Sequence, residues 1–180
     1  MGKLLTSGLI VIGILLSSYT NVLQTRWNIQ NDDYIIAFET QKVKGKIKGL
    51  SGEILFDEKK IQEAKIDVSV DVNTIATGFW LKNNHAKSEK FLDVKKYPKI
   101  SFRSKDFKET SSGYLVSGTL KIKDISKDIS IPFTFNRKGT QGTFQGPFDI
   151  DRTDYNLIKE GIGTILHIKI QLPVVENPNK

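Results

Sequence analysis

The run AKIDVSVDVNTIATGFWLKNNHAKSEKFLDVKKYPKISF occupies residues 64–102 and changes its periodicity twice. Ala64, Ile66, Val68, Val70 and Val72 alternate with Lys65, Asp67, Ser69 and Asp71. Period two carried by β-branched residues predicts a half-buried strand. From Thr77-Gly78 onward the apolar residues fall instead at Leu81, Ala86, Phe91 and Leu92, closer to helical spacing. Tyr97-Pro98 ends that segment, because the residue before a proline is pushed out of the helical region. Ile100 and Phe102 then resume the alternation around Ser101. The expectation is a strand, a short helical excursion and a second strand.

The same alternation runs through the rest of the chain. Trp27 and Ile29 begin a first strand, and Tyr34, Ile36 and Phe38 a second. Residues 44–56 are long and glycine-rich, and glycine inside a strand permits the sharp bends that a closing sheet needs. Tyr114, Val116, Gly118, Leu120 and Ile122 share one face, and Ile129, Ile131, Phe133 and Phe135 form the return strand after a polar connection at 123–128. Pro132 cannot donate to a ladder, which places it at an edge or a bulge. Phe144, Gly146, Phe148 and Ile150 alternate next. The last strand, 162–172, sets Leu166, Ile168, Ile170 and Leu172 against Ile165, His167, Lys169 and Gln171, and a polar tail follows from Val174. About eight strands at this spacing predict an all-β antiparallel barrel or sandwich, and periodicity alone does not choose between them.

The 180 residues suit one domain, with 38% hydrophobic and 26% charged residues. The absence of cysteine excludes a disulfide framework, a thiol nucleophile and a cysteine-anchored lipoprotein. A net charge of +7 favours an anionic contact such as a headgroup or a membrane surface. Lys44, Lys46 and Lys48 line one strand face as a candidate for peripheral contact with an anionic membrane. Nucleic acid is not expected as a partner, because the aromatic residues fall on inward faces and leave no exposed stacking platform. At the N-terminus, Lys3 precedes an apolar run from Leu4 to Leu16 and a small polar exit at 17–20. That pattern predicts a signal peptide over residues 1–20, a single domain over 21–180, and a periplasmic or secreted location; an uncleaved anchor is the alternative.

The TGFWLKNNHAKSEKFLDVKKYPKISF run resembles the signature of the YceI-like family of lipocalin-like, lipid-binding barrels. His85, Ser88, Phe91, Asp93, Tyr97 and Pro98 match the pattern. Lys82-Asn83 stand where it carries an Arg-Asp pair, which removes an acidic side chain. Arg152 with Tyr155 matches a second family position, read here as a structural loop salt bridge. The resemblance extends over nearly all of residues 21–180. It implies an extended antiparallel, lipocalin-like β-barrel with a hydrophobic interior and a short helix between its middle strands.

The candidate ligand-binding residues are the inward-facing set Ile36, Phe38, Ile54, Phe56, Val68, Val70, Phe102, Leu120, Ile122, Phe133, Phe135, Phe144, Phe148, Ile168 and Ile170. Phe79, Trp80, His85 and Phe91 are expected at a rim or lid. Together they suit an exported carrier of a long apolar lipid: a polyisoprenoid, an isoprenoid quinone or a fatty amide. No chemical step is expected. The rival readings are a solid barrel acting as an envelope adaptor, and a lipid-acting enzyme with His85 as its base. His85 and His167, far apart and without cysteine, give no basis for a zinc or haem site, and no cofactor is expected. Asp149 to Asp154 resembles a calcium loop only superficially, lacking its glycine and terminal glutamate.

Overall fold

A computed structural model describes residues 24–30 and 33–178; the expected signal peptide lies outside them. The period-two runs form nine strands: β1 (Arg26–Ile29), β2 (Ile35–Glu39), β3 (Lys44–Leu55), β4 (Lys65–Ala76), β5 (Lys99–Thr110), β6 (Gly113–Ile122), β7 (Ile125–Lys138), β8 (Gln141–Asp151) and β9 (Ile165–Glu176). One helix, α1 (Trp80–Lys87), lies between β4 and β5. Every pairing is antiparallel.

β1 and β2 both lie between β3 and β9, β1 against Ile54 and Val174 and β2 against Gly45 and Ile168. They are two pieces of one broken stave. With that stave the sheet closes on itself through β3–β4 contacts, giving an eight-stave antiparallel barrel. Closure removes the exposed edges that would template aggregation.

Bends occur where small residues allow them. β3 shifts register against β4 between Lys46 and Ser51, and Gly49 there takes φ +70, a conformation that costs a side chain but not glycine. The Phe38 ring lies over Gly45, its cross-strand partner, in space a Cβ would occupy. Pro132 falls just before the β7–β8 ladder begins at Thr134, where no amide is needed.

Three ends of the sequence-based strands differ from expectation. β7 starts at Ile125, inside the connection expected at 123–128, because Ile122 and Ile125 already pair across a two-residue turn. β9 starts at Ile165 rather than Ile162, because the Ile162 and Gly163 carbonyls turn to accept from Arg152. It also continues to Glu176 through the expected tail, since Val174 pairs with Ile29 and Gly142 and is buried.

The connections 56–64, 111–112 and 139–140 share one end of the barrel, and rings plug that end. Phe56 is fully buried, with Tyr114, Phe133, Phe135 and Phe144 at centroid distances of 5.1–5.6 Å. Trp27 packs edge-on to Phe135 at 5.1 Å and donates its indole N–H to the Phe56 carbonyl at 2.9 Å. Such pairs contribute about 0.5–1.5 kcal/mol each beyond the area they bury.

Candidate functional site

Above the plug the inward side chains become mostly aliphatic, and they do not meet across the barrel. An eight-stave barrel has an interior just wide enough for side chains to fill, so shorter ones leave the axis open. The result is a cavity of about 880 Å³. Ile36, Phe38, Ile54, Val68, Val70, Phe102, Leu120, Ile122, Phe133, Phe144, Phe148, Ile168 and Ile170 line it, all inward by periodicity. Ile47, Leu50, Ile66, Val116, Ile131 and Leu172 lie on the same walls and were not singled out from sequence.

The mouth opens at the other end, among the connections 40–43, 77–98 and 152–164. Its lining adds Thr40, Lys42, Thr77, Leu81, Lys82, His85, Lys159 and Glu160, with Phe91 beneath His85. The polar groups of the site are thus gathered at the rim, and the depths are nearly all apolar.

Two residues expected in the barrel interior lie outside the cavity. Phe56 and Phe135 point inward but belong to the plug, below the cavity floor. Phe79 and Trp80 stand at the mouth end, as a rim position requires, but do not line the cavity as ligand contacts: α1 turns its Ala86 inward and leaves these two exposed at its start.

Three local devices hold the rim. Thr40 closes the β2–β3 turn, its hydroxyl accepting from the Val43 amide at 3.1 Å and its own amide donating to the Val43 carbonyl at 2.7 Å. Asn83 ties α1 to the end of β4: its side-chain oxygen accepts from the Thr77 amide at 2.7 Å and the Thr77 hydroxyl at 2.8 Å. Both partners are donors, so the amide oxygen of Asn83 satisfies them without a carboxylate.

Arg152 organises the third segment. Its buried guanidinium donates to the carbonyls of Leu157, Lys159 (2.8 Å), Ile162 (3.0 Å) and Gly163 (2.9 Å). The expected loop salt bridge is therefore a carbonyl clamp; the nearby Asp154 pairs with Lys127 instead. Next to it, the Thr153 hydroxyl and amide hold the Asp151 carboxyl below its usual range. Burial pushes the Tyr155 phenol up to about 12.

The groups a chemical step would need are not aligned. The Ser88 hydroxyl donates to the His85 carbonyl at 2.7 Å rather than to the imidazole. His85 Nε2 meets Lys159 Nζ at 3.2 Å across the mouth. His167 pairs with Asp149 at 2.7 Å on exposed side chains and is not part of the cavity lining.

The model of the YceI-like domain matches residues 27–174. A UPF0312 protein of Yersinia enterocolitica is 27% identical over 119 residues, 63% of this chain and 62% of that protein. The chain thus spans less than two thirds of that relative's length. The crystal structure of Burkholderia cenocepacia BcnA superposes with a TM-score of 0.76 at 22% identity, covering 81% of this chain and 99% of that one. A polyisoprenoid binding domain from Saccharophagus degradans superposes with a TM-score of 0.65 at 16% identity, covering 86% and 99%. These superpositions place the barrel among known ones, and the domain match over nearly all of the closed sheet identifies the chain as a member of the YceI-like family.

Proposed function

We propose that this protein binds a long apolar lipid of the isoprenoid class in its barrel and carries or sequesters it without chemical change. The observation that supports this most is the depth of the apolar cavity behind a mouth where the polar groups are concentrated. At about 30 Å³ per water-sized group, its volume takes on the order of thirty carbon atoms. Ligands of that size gain roughly 0.3 kcal/mol per heavy atom, so binding near 9 kcal/mol and a sub-micromolar Kd are expected. With few polar contacts in the depths, selection is by length and girth, and the rim cations suit a polar or anionic head. The fold shared with the Saccharophagus polyisoprenoid binding domain supports the choice of chain class. The leader-like pattern of residues 1–20 supports export. An adaptor with a solid core fits poorly with the cavity, and an enzyme fits poorly with the Ser88 and His85 geometry.

Titration of delipidated protein with a fluorescent polyprenyl analogue tests the proposal. Saturable one-to-one binding in the sub-micromolar range, competed by unlabelled polyprenol and not by short-chain alcohols, is the expected outcome. Absence of saturable binding, or equal competition by short chains, would overturn it.

A further inference from the structure

Six large apolar side chains are exposed among the described residues, and five of them stand at the mouth end: Phe79, Trp80, Leu81, Ile158 and Ile165. Trp80 is 63% exposed and Ile158 62%. Soluble surfaces scatter such residues singly; a cluster beside a pocket marks a contact site. The two groups belong to one rim. Leu81 and Lys159 both line the cavity mouth, and Lys159, next in the chain to Ile158, meets His85 of α1.

Charge is distributed in the same direction. Residues 77–98 carry five lysines against two carboxylates, and the 40–43 turn adds Lys42. The β6–β7 turn at 123–124, which lies at the same end, and the 152–164 connection are each balanced. At the plugged end, residues 56–64 carry three carboxylates against two lysines, and the two hairpin turns carry no charge. Exposed aromatic and aliphatic side chains together with a surplus of lysine in the same connections, at one pole of a molecule, match the chemistry of an anionic bilayer interface.

We infer that the mouth rim docks on an anionic lipid bilayer, with Phe79, Trp80, Leu81 and Ile158 entering the headgroup–acyl boundary and the surrounding lysines meeting the headgroups. The docking face differs from the Lys44–Lys46–Lys48 strand face expected from sequence. It aims the cavity at the membrane, so an apolar chain crosses from bilayer to barrel without traversing water. The inference builds on the proposed function, since a bilayer is where such cargo resides, but docking is measured without cargo.

Trp80 reports on it directly. Of the two tryptophans, Trp27 is 2% exposed and held in the plug. Full-length protein is mixed with vesicles of phosphatidylcholine, or of phosphatidylcholine and phosphatidylglycerol in equal parts, containing lipids brominated on their acyl chains. Anionic vesicles are expected to quench and blue-shift Trp80 emission and shield it from aqueous iodide, with Trp80→Phe abolishing the signal. Each lysine near an anionic surface raises partitioning about fivefold, so Lys90→Glu with Lys95→Glu should raise the half-maximal lipid concentration at least tenfold. Neither residue lines the cavity. Phe79→Ser should weaken quenching further.

Trp80 that stays open to iodide on vesicle-bound protein would overturn the inference, because attachment would then come from elsewhere in the chain. So would equal quenching by neutral vesicles. Shielding of Trp80 by self-association without lipid would assign the patch to a second copy. A protein that docks but binds no polyprenyl analogue keeps this inference and loses the proposed function.

Discussion

Tyr155 and Arg152 show how one short segment can be satisfied unequally. The Arg152 guanidinium is buried but donates to four carbonyls, which orders residues 157–163 beside the mouth. The Tyr155 hydroxyl, also buried, has no hydrogen-bond partner among the described residues. A buried polar group without a hydrogen bond costs about 1–3 kcal/mol, so removing it relieves a penalty. Thermal unfolding should therefore show Tyr155→Phe neutral to about 1 kcal/mol more stable. Arg152→Lys keeps the charge but not the fork. It should cost about 2–4 kcal/mol and raise hydrogen exchange in 157–163. Loss of stability in Tyr155→Phe, or an unchanged loop in Arg152→Lys, would contradict these assignments.

At the scale of elements, the strands of this barrel were legible because period two survives in nearly all of them. Periodicity says which way a side chain faces; it says nothing about height along the barrel. Phe133 lines the cavity, whereas Phe135, two residues on and facing the same way, belongs to the plug. The rim was less legible. Lys42 and Lys159 come from connections, where no repeat indicates direction, and for Phe79 and Trp80, expected at the rim, nothing in the spacing showed that the helix start turns them away from the cavity. The family resemblance supplied closure into a barrel, which alternation alone could not. The plug carries its own expectation. Phe56→Ala removes a ring that touches five others, and chemical denaturation should show a loss of about 3–5 kcal/mol. A loss below 1 kcal/mol would mean the rings are not a packed floor.

For the molecule as a whole, the cavity follows from how bulk is shared between the two ends. Rings meet across the barrel at one end, whereas mostly branched aliphatics, with Phe38, Phe102 and Phe148 among them, line the rest, so the barrel is sealed below and hollow above. Filling the hollow should exclude cargo without unfolding the protein. Ile170→Trp places a ring opposite Ile36 and Gly146, and is expected to abolish analogue binding while raising the Tm above that of delipidated wild type. The most direct measurement is native mass spectrometry of freshly purified protein, followed by organic extraction of whatever is released. One apolar molecule of isoprenoid composition per chain, absent from Ile170→Trp, is the predicted result. A chain mass with no adduct, from protein that also fails to take up added polyprenol, would contradict the account.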